Sequence, residues 1–137
     1  MKLQYLVDLE HTKLFHRQQH EACDCIYCNN FRTAFRSSML SSERWVHEFG
    51  FDLDGEIEIM DFSWNHQHTG RVYEVFFPVQ GHLLRDNITI SESAADIALL
   101  KAESSALLYS NTRMQPPCFF LVLRTEMPWV LDAPSED

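Results

Sequence analysis

The residue types best suited to chemistry in this chain are concentrated in one stretch near its beginning. Cys23, Cys25 and Cys28 fall within six residues in the spacing C-x-C-x-x-C, and His16 and His20 stand just upstream. Thiolates and imidazoles are ligands that zinc prefers, and a structural zinc site needs four of them in a tetrahedron. The stretch therefore predicts a metal site formed by Cys23, Cys25, Cys28 and His20, with zinc as the ion.

Geometry decides which of these thiols can share an ion. Zinc–sulfur bonds of about 2.3 Å in a tetrahedron place neighbouring sulfur atoms a little under ~4 Å apart. Two residues three positions apart at the start of a helix can meet this distance, so Cys25 and Cys28 form a feasible pair. Cys23 can join them only if the backbone turns between positions 23 and 25. His16 and His47 are further candidates for the fourth position.

The same thiols permit two other interpretations. Cys25 and Cys28 form a C-x-x-C motif at a predicted helix N-terminus, where the helix dipole favours the thiolate of Cys25 and hence redox chemistry. However, a polar segment precedes the motif, whereas a core strand precedes it in a thioredoxin-like unit. Alternatively, the cysteines are reduced thiols that fill space under a helix.

A second group of candidate residues lies in the middle of the chain. His66 and His68 would share a face of an extended segment, and Glu74 would lie across a hairpin from them. Two histidines and one carboxylate are a known metal-binding set, so a metal- or thiol-dependent enzyme is the alternative to a non-enzymatic binding protein. Exposed histidines in a turn are the simpler interpretation.

Charge and composition limit the partners. The net charge is −9, and residues 51–137 carry it, with five Lys/Arg against fourteen Asp/Glu. An acidic surface repels phosphate backbones and excludes nucleic acid, but it suits a basic protein or peptide; solubility alone is the simpler explanation. No apolar run of about 18 residues indicates a membrane span, and no signal peptide is recognised. The sequence thus predicts a cytoplasmic protein, whose thiols stay reduced.

The length and patterning predict a single domain, residues 1–137, of the α+β class. We expect an antiparallel sheet of about five strands with two N-terminal helices packed on it. The first predicted elements are a strand at 3–9, a loop or an irregular turn of helix at 11–21, and helices at 24–37 (with Asp24 as N-cap) and 43–49 (capped by Ser41 or Ser42). They are followed by a strand at 52–62, a turn at 65–70, a strand at 71–79, a short strand at 87–91 and a central strand at 118–123. Residues 94–108 favour a third helix through their Ala and Leu content, with a strand as the alternative.

Two segments together resemble a family of small bacterial proteins of unknown function. One is Cys23-Asp24-Cys25-Ile26-Tyr27-Cys28-Asn29-Asn30-Phe31, which is similar to the family's C-D-C-x-Y-C-x-N-F/Y motif. The other is Glu126-Met127-Pro128-Trp129-Val130-Leu131, which is similar to its E-L-P-W-V-L motif, with methionine in place of leucine. The resemblance implies a cytoplasmic bacterial protein and implies that the three cysteines belong to a motif. It brings no activity or cofactor with it.

Overall fold

A computed structural model describes residues 4–18, 23–51, 58–90, 93–102 and 114–135. Within these ranges the elements follow the order β1 (Tyr5–Val7), α1 (Leu9–Gln18), α2 (Ile26–Ser37), a 3-10 helix (Met39–Ser42), α3 (Arg44–Glu48), β2 (Glu58–Trp64), β3 (Arg71–Leu83), β4 (Ile88–Ile90), β5 (Asp96–Lys101) and β6 (Cys118–Met127). The predicted α+β class with an antiparallel sheet is confirmed. Among the described helices, none is long and apolar enough to cross a membrane.

The sheet is built around the two longest strands. All its pairings are antiparallel, and the strand order is β1-β3-β6-β5-β4, with β2 also paired to β3. The predicted β2–β3 hairpin is confirmed, and its turn closes through the bond from the backbone N–H of Asn65 to the Gly70 carbonyl, 2.8 Å. The predicted central position of β6 is also confirmed, because β6 lies between β3 and β5.

One face of the sheet carries the larger core. Alternate residues of β3 and β6 point to this face and are almost fully buried, as the period of two in a strand requires. Aromatic residues of α2 and α3 share the same cluster, where the rings of Phe31 and Tyr73 lie 5.3 Å apart. A smaller cluster on the other residues of the same strands contains Phe76, Cys118 and Phe120. The larger core therefore ties the α2 helix to the centre of the sheet.

The two predicted N-terminal helices are present, with different first residues. The N-cap of α2 is Cys25 rather than Asp24, and the N-cap of α3 is Glu43 rather than Ser41 or Ser42, which lie in the 3-10 helix. Gly50 ends this region with φ +73, the left-handed conformation that glycine adopts most readily.

The loop or irregular helical turn predicted for residues 11–21 is a regular ten-residue helix, α1, as far as Gln18. Its buried positions are Thr12 and His16, four apart, so its inner face is polar and shows no apolar stripe. Thr12 Oγ1 accepts a bond from the backbone N–H of Gln80 (3.0 Å), and His16 Nε2 bonds to the Pro78 carbonyl (2.8 Å). Hydrogen bonds to β3 dock this helix, together with Phe15, which packs against the smaller core.

Of the two structures predicted for residues 94–108, the third helix is wrong and the strand is confirmed where the structure describes the segment. Residues 96–101 form β5, which pairs with β4 on one side and β6 on the other. Ile97 and Leu99 are buried while their neighbours are less so, which is strand periodicity. Pairing in the sheet outweighs the small helix preference of Ala and Leu.

Some predictions concern residues that the structure leaves undescribed. These are residue 3 at the start of the first strand, residues 19–21, the acidic beginning of the predicted strand at 52–57, position 91 and the later part of the predicted third helix, 103–108. Residue 9, the predicted end of the first strand, begins α1 instead.

Candidate metal centre

The first turn of α2 positions two of the three thiols. Cys25 is the N-cap residue, with extended backbone angles of φ −73° and ψ 165°. Its sulfur accepts a bond from the backbone N–H of Cys28 at 3.5 Å, as the side chain of an N-cap residue does for the otherwise unpaired amides of a first turn. This contact holds the Cys25 sulfur over the start of the helix, beside Cys28.

The turn that brings Cys23 to the other thiols is made by Asp24. Asn29 Nδ2 donates both to the Asp24 carbonyl oxygen (3.2 Å) and to Asp24 Oδ1 (3.0 Å). Asn29 is itself held from the other side, because Arg32 Nη1 donates to Asn29 Oδ1 at 2.9 Å. The helix therefore folds the chain that precedes it back over its own first turn, and the turn required between positions 23 and 25 is present.

The three sulfur atoms form a compact group. Their Sγ atoms all lie within 4.8 Å of one another. Tetrahedral zinc coordination asks for sulfur separations of about 3.8 Å, by the bond length of about 2.3 Å. Contracting the widest separation to that value takes a movement of about 1 Å, which exposed Cys23 and Cys25 can make. The residues present therefore fit three of the four ligand positions of a zinc site.

Burial and hydrogen bonding shift the pKa values of an exposed and a buried thiol of the cluster in opposite directions. The backbone N–H of Cys25 lowers the pKa of the Cys23 thiol, and contacts with the side chains of Cys25 and Cys28 and the charge of Arg32 act in the same direction. Burial raises the pKa of the Cys28 thiol above its ordinary range, and its contacts with the other two thiols raise it further. A metal ligand must be a thiolate, so a bound cation would have to offset this preference of Cys28 for its proton.

The histidines considered for the fourth position do not join the thiols where the structure describes them. His16 is buried, bonds to the Pro78 carbonyl and stacks on Phe51 with ring centroids 5.0 Å apart. His47 is exposed on α3 and lines a different pocket. His20 lies outside the described residues. In the described part of the chain, the three thiols alone make up the group of closely spaced potential ligands.

The second candidate site is not assembled. His66 and His68 are exposed in the β2–β3 turn, and His68 has φ +60 and packs against the Trp64 ring at 4.2 Å between centroids. Glu74 lies further along β3, where it pairs with Arg124 at 3.8 Å. The prediction of a two-histidine, one-carboxylate site is wrong, because these three residues do not bring their ligand atoms together among the described residues.

The first turn of α2 is anchored to the C-terminal segment. Asn30 is fully buried; its Nδ2 donates to the Pro128 carbonyl (3.0 Å) and to Tyr73 Oη (3.2 Å), and its Oδ1 accepts from the backbone N–H of Val130 (2.8 Å). Tyr73 Oη in turn donates to the Tyr27 carbonyl at 2.9 Å. Burial raises the pKa of Tyr73 to about 12, so its hydroxyl keeps its proton. The cysteine-containing segment 23–31 and the C-terminal segment 126–131 are thus in direct contact.

A buried guanidinium packs against the first turn of α2. Arg71 is 1% exposed and makes two bonds to Asp61, Nε to Oδ1 at 2.7 Å and Nη2 to Oδ2 at 2.8 Å. Its guanidinium carbon lies 4.4 Å from the ring centroid of Tyr27 and 5.0 Å from that of Trp64. Trp129 completes the cluster, 5.7 Å from Tyr27. Such cation–π contacts to a charge removed from water hold Tyr27, and with it the neighbouring Cys28, in place.

Sequence inspection singled out the thiols but missed the residues that hold them. Asn29 and Asn30 entered the prediction only as part of the motif, and Arg32 had no role in it, yet these residues fold the preceding turn and anchor the C-terminal segment. The spacing of Asp24 and Asn29 was a usable signal, since a side-chain amide just inside a helix can bond back to the turn before it. The partners of Asn30 are about a hundred positions away, and nothing local indicates them.

Comparison of the chain with family models, with curated proteins and with solved structures finds no significant match in any of the three.

Proposed function

We propose that the protein is a non-catalytic binding module whose cluster of Cys23, Cys25 and Cys28 holds one zinc ion. The observation that carries the proposal is that three thiols from consecutive turns of chain converge within 4.8 Å. Thiolate ligands select soft metals, and zinc accepts the tetrahedral arrangement without redox chemistry. His20, three residues before Cys23, is the proposed fourth ligand.

The ion would act as a cross-link in this proposal. Cys23 belongs to the chain that precedes α2, whereas Cys28 belongs to the helix, so a shared metal would fasten one to the other. The side chain of Cys28 is buried at the first turn of this helix, close in sequence to Asn30, which contacts the C-terminal segment. A structural zinc site contributes its binding free energy to folding. Loading should therefore stabilise the whole domain and not only the exposed turn.

The metal content of the purified protein tests the proposal. We expect protein prepared without chelator to contain about one zinc per chain by elemental analysis, the stoichiometry of a single closed site. Cys23→Ser, Cys25→Ser and Cys28→Ser should each lower the content strongly, while Cys118→Ser, which changes a buried thiol outside the cluster, should retain it. His20→Ala should weaken retention against a competing chelator. Metal-free wild-type protein with all thiols reduced, unable to take up added zinc, would show that the proposal is wrong.

Cobalt substitution gives a second, independent readout. Cobalt(II) bound by thiolates shows sulfur-to-metal charge-transfer absorption, and its visible bands report tetrahedral geometry. Wild-type protein should show both, and each cysteine variant of the cluster should lose charge-transfer intensity. Octahedral spectra without charge transfer would contradict a thiolate site.

Thiol chemistry is the second candidate, favoured by the exposed Cys23 thiol with its lowered pKa beside buried Cys28. The Cys23 thiolate would attack a small disulfide and release one thiolate; a second thiol of the cluster would then attack the mixed disulfide and release the other. The substrate disulfide is reduced to two thiols and the cluster is oxidised to a disulfide. Reduction of a small disulfide by metal-free wild type, lost in Cys23→Ser and kept in Cys118→Ser, is the expected result. Equal rates in both variants would exclude this activity.

The partner of the module follows from charge. We propose a basic protein or peptide, because the chain carries a net charge of −9. Binding through exposed charges weakens as salt screens them. We expect a partner that is recovered at low salt and released at about 0.5 M salt, where the screening length is well below the ~10 Å that it has at 0.1 M. A partner whose binding is indifferent to salt would contradict the acidic surface as the contact.

A further inference from the structure

A small pocket with a basic lining lies away from the thiols. It has a volume of about 250 Å³ and is formed by α1, the 3-10 helix, α3 and the turn that follows α3. The residues that line it are Lys13, Arg17, Ser41, Val46, His47, Gly50 and Phe51. Lys13 and Arg17 are four apart and share one face of α1, while His47 reaches the pocket from α3.

The charge of this pocket is opposite to that of the chain. Aspartate and glutamate outnumber lysine and arginine by 20 to 11, yet no carboxylate lines the pocket among the described residues. The ion pairs that the structure describes lie elsewhere, between Asp8 and His11, Arg44 and Glu48, Asp61 and Arg71, and Glu74 and Arg124. Lys13, Arg17 and His47 therefore converge on a cavity without a negative partner from the described chain.

Close packing at Gly50 holds the turn after α3 against α1, and these two elements form two sides of the pocket. A Cβ atom at this position would lie 2.8 Å from Leu9 Cδ1, 3.1 Å from the Leu9 carbonyl oxygen and 3.2 Å from Lys13 Cγ. The stem of Lys13 consequently rests against the turn after α3. The backbone N–H of Gly50 also donates to the His47 carbonyl at 3.2 Å. Lys13 and the backbone of His47 are thus placed by direct contact between α1 and the α3 turn.

We propose that this pocket binds the phosphate group of a small phosphate-bearing ligand, a site independent of the proposed metal centre. Two permanent cations and a histidine suit a doubly charged oxyanion better than a singly charged carboxylate. The guanidinium of Arg17 matches the oxygens of phosphate in pairs, and the ammonium of Lys13 acts as a point charge. Ser41 adds no hydrogen-bond donor to the site, because its hydroxyl donates to the Ser38 carbonyl at 2.8 Å.

The size of the pocket defines the class of ligand. A volume of 250 Å³ is slightly below the range of roughly 300–1,000 Å³ of drug-sized sites, so the ligand is small. It exceeds what a single phosphate group requires, and Val46 and Phe51 provide an apolar wall. Phosphomonoesters of small organic molecules and inorganic phosphate share the recognised group, and the experiment separates them.

Calorimetric titration of wild-type protein with inorganic phosphate, with phenyl phosphate and with acetate tests the site. We expect saturable binding of both phosphates and none of acetate. Tighter binding of phenyl phosphate would assign the site to an organic phosphomonoester that uses the apolar wall; equal binding would assign it to inorganic phosphate. If neither phosphate binds saturably at concentrations up to about 10 mM, any affinity is far weaker than ~1 mM and the proposal is overturned.

A charge-matched pair of variants separates the site from general anion attraction. Lys13→Gln with Arg17→Gln removes two cations from the pocket, and Arg85→Gln with Lys101→Gln removes two cations that do not line it. Because a hydrogen bond to a charged group contributes ~1.5–3 kcal/mol, the first pair should weaken phosphate binding by tenfold or more. The second should change it less than about twofold, as expected for screened charges outside the pocket. Equal weakening by both pairs would overturn the proposal.

Histidine resonances supply a readout that does not depend on the variants' stability. Saturating phosphate should shift the ring signals of His47 and leave those of His82, which is exposed on β3, unchanged. A shift of both histidines, or of neither, would contradict a site at His47. The urea midpoint of each double variant is measured in parallel, so that lost binding is compared only between folded proteins.

Discussion

At the scale of single residues, the three clustered thiols differ in their surroundings although they lie within six positions of one another. Cys23 and Cys25 are exposed, and Cys28 is buried under the start of α2. The pKa of the Cys23 thiol is lowered, first by the backbone N–H of Cys25, while burial raises that of Cys28. A thiolate is the reactive form of cysteine, so exposure and pKa act together to make Cys23 more reactive than Cys28.

Alkylation of metal-free protein should therefore be strongly ordered. We expect iodoacetamide to modify Cys23 roughly tenfold faster or more than Cys28 or Cys118, because both of these are buried and Cys23 is exposed with a lowered pKa. Because the Cys23 pKa is lowered, its rate should rise at a lower pH than that of an ordinary thiol. Mass spectrometry of peptides from timed samples measures each site. Faster modification of Cys28 than of Cys23 would show that the described burial is wrong.

At the scale of elements, one carboxylate joins α3 to the far edge of the sheet. Glu43 is the N-cap residue of α3, and its carboxylate accepts bonds from the Trp45 indole N–H (2.8 Å), the Ser93 hydroxyl and the backbone N–H of Ala94 (3.1 Å). Burial alone would raise the pKa of Glu43, but these three donors outweigh it and lower the pKa below the ordinary value of 4.5. The ionised form is therefore the one that holds the segment before β5 against α3.

The sign of this shift predicts how stability depends on pH. A carboxylate whose pKa is depressed on folding stabilises the protein fully above about pH 4.5 and loses that effect as the pH falls through its folded value. Glu43→Gln should lower the free energy of unfolding by about 1 kcal/mol at pH 7, and by less at pH 3. Urea denaturation at both values measures the difference. Asp132→Asn, which changes an exposed carboxylate, serves as the control. A constant difference between wild type and Glu43→Gln across this range would contradict the assignment.

At the scale of the whole molecule, the N-terminal helices are fastened to the last described segment of the chain. Asn30 bonds to the backbone of Pro128 and Val130, and Trp129 packs on Tyr27 and Trp64 with ring centroids 5.7 and 6.2 Å away. The segment after β6 thus covers the first turn of α2 and the buried Arg71. Through that turn it supports the thiol cluster.

Removal of the C-terminal segment should consequently act at a distance. Deletion of residues 128–137 leaves the buried amide of Asn30 without these partners and removes one ring of the cluster; we expect a loss of roughly 2–4 kcal/mol in the free energy of unfolding. Metal retention should also weaken, because Tyr27 and Cys28 lose their support. Deletion of residues 134–137 keeps the Ala133 carbonyl that accepts the Trp129 indole bond and is the matched control. Equal stability of the two truncated proteins would show that the segment does not anchor α2.

The predictions were confirmed where the spacing of apolar residues along the chain matches the positions that are buried. The apolar positions of α2 at Phe31, Ala34 and Phe35 are buried in the core, and the β-branched and aromatic run beginning at Arg71 is the long strand β3. The predictions were wrong where the buried side chains are polar, and where strand pairing outweighs local helix preference. Helix α1 buries a threonine and a histidine, and β5 is a strand because β4 and β6 flank it.

The sequence by itself determined that three thiols lie within six residues at the start of a helix, that the chain is acidic and that it forms helices and an antiparallel sheet. These properties depend on composition and on neighbours a few positions apart. Only the tertiary structure decided that Asn30 is anchored to the C-terminal segment and that Lys13, Arg17 and His47 meet at one pocket. The physical reason is that these relations depend on packing and hydrogen bonds between distant segments, which no local pattern encodes.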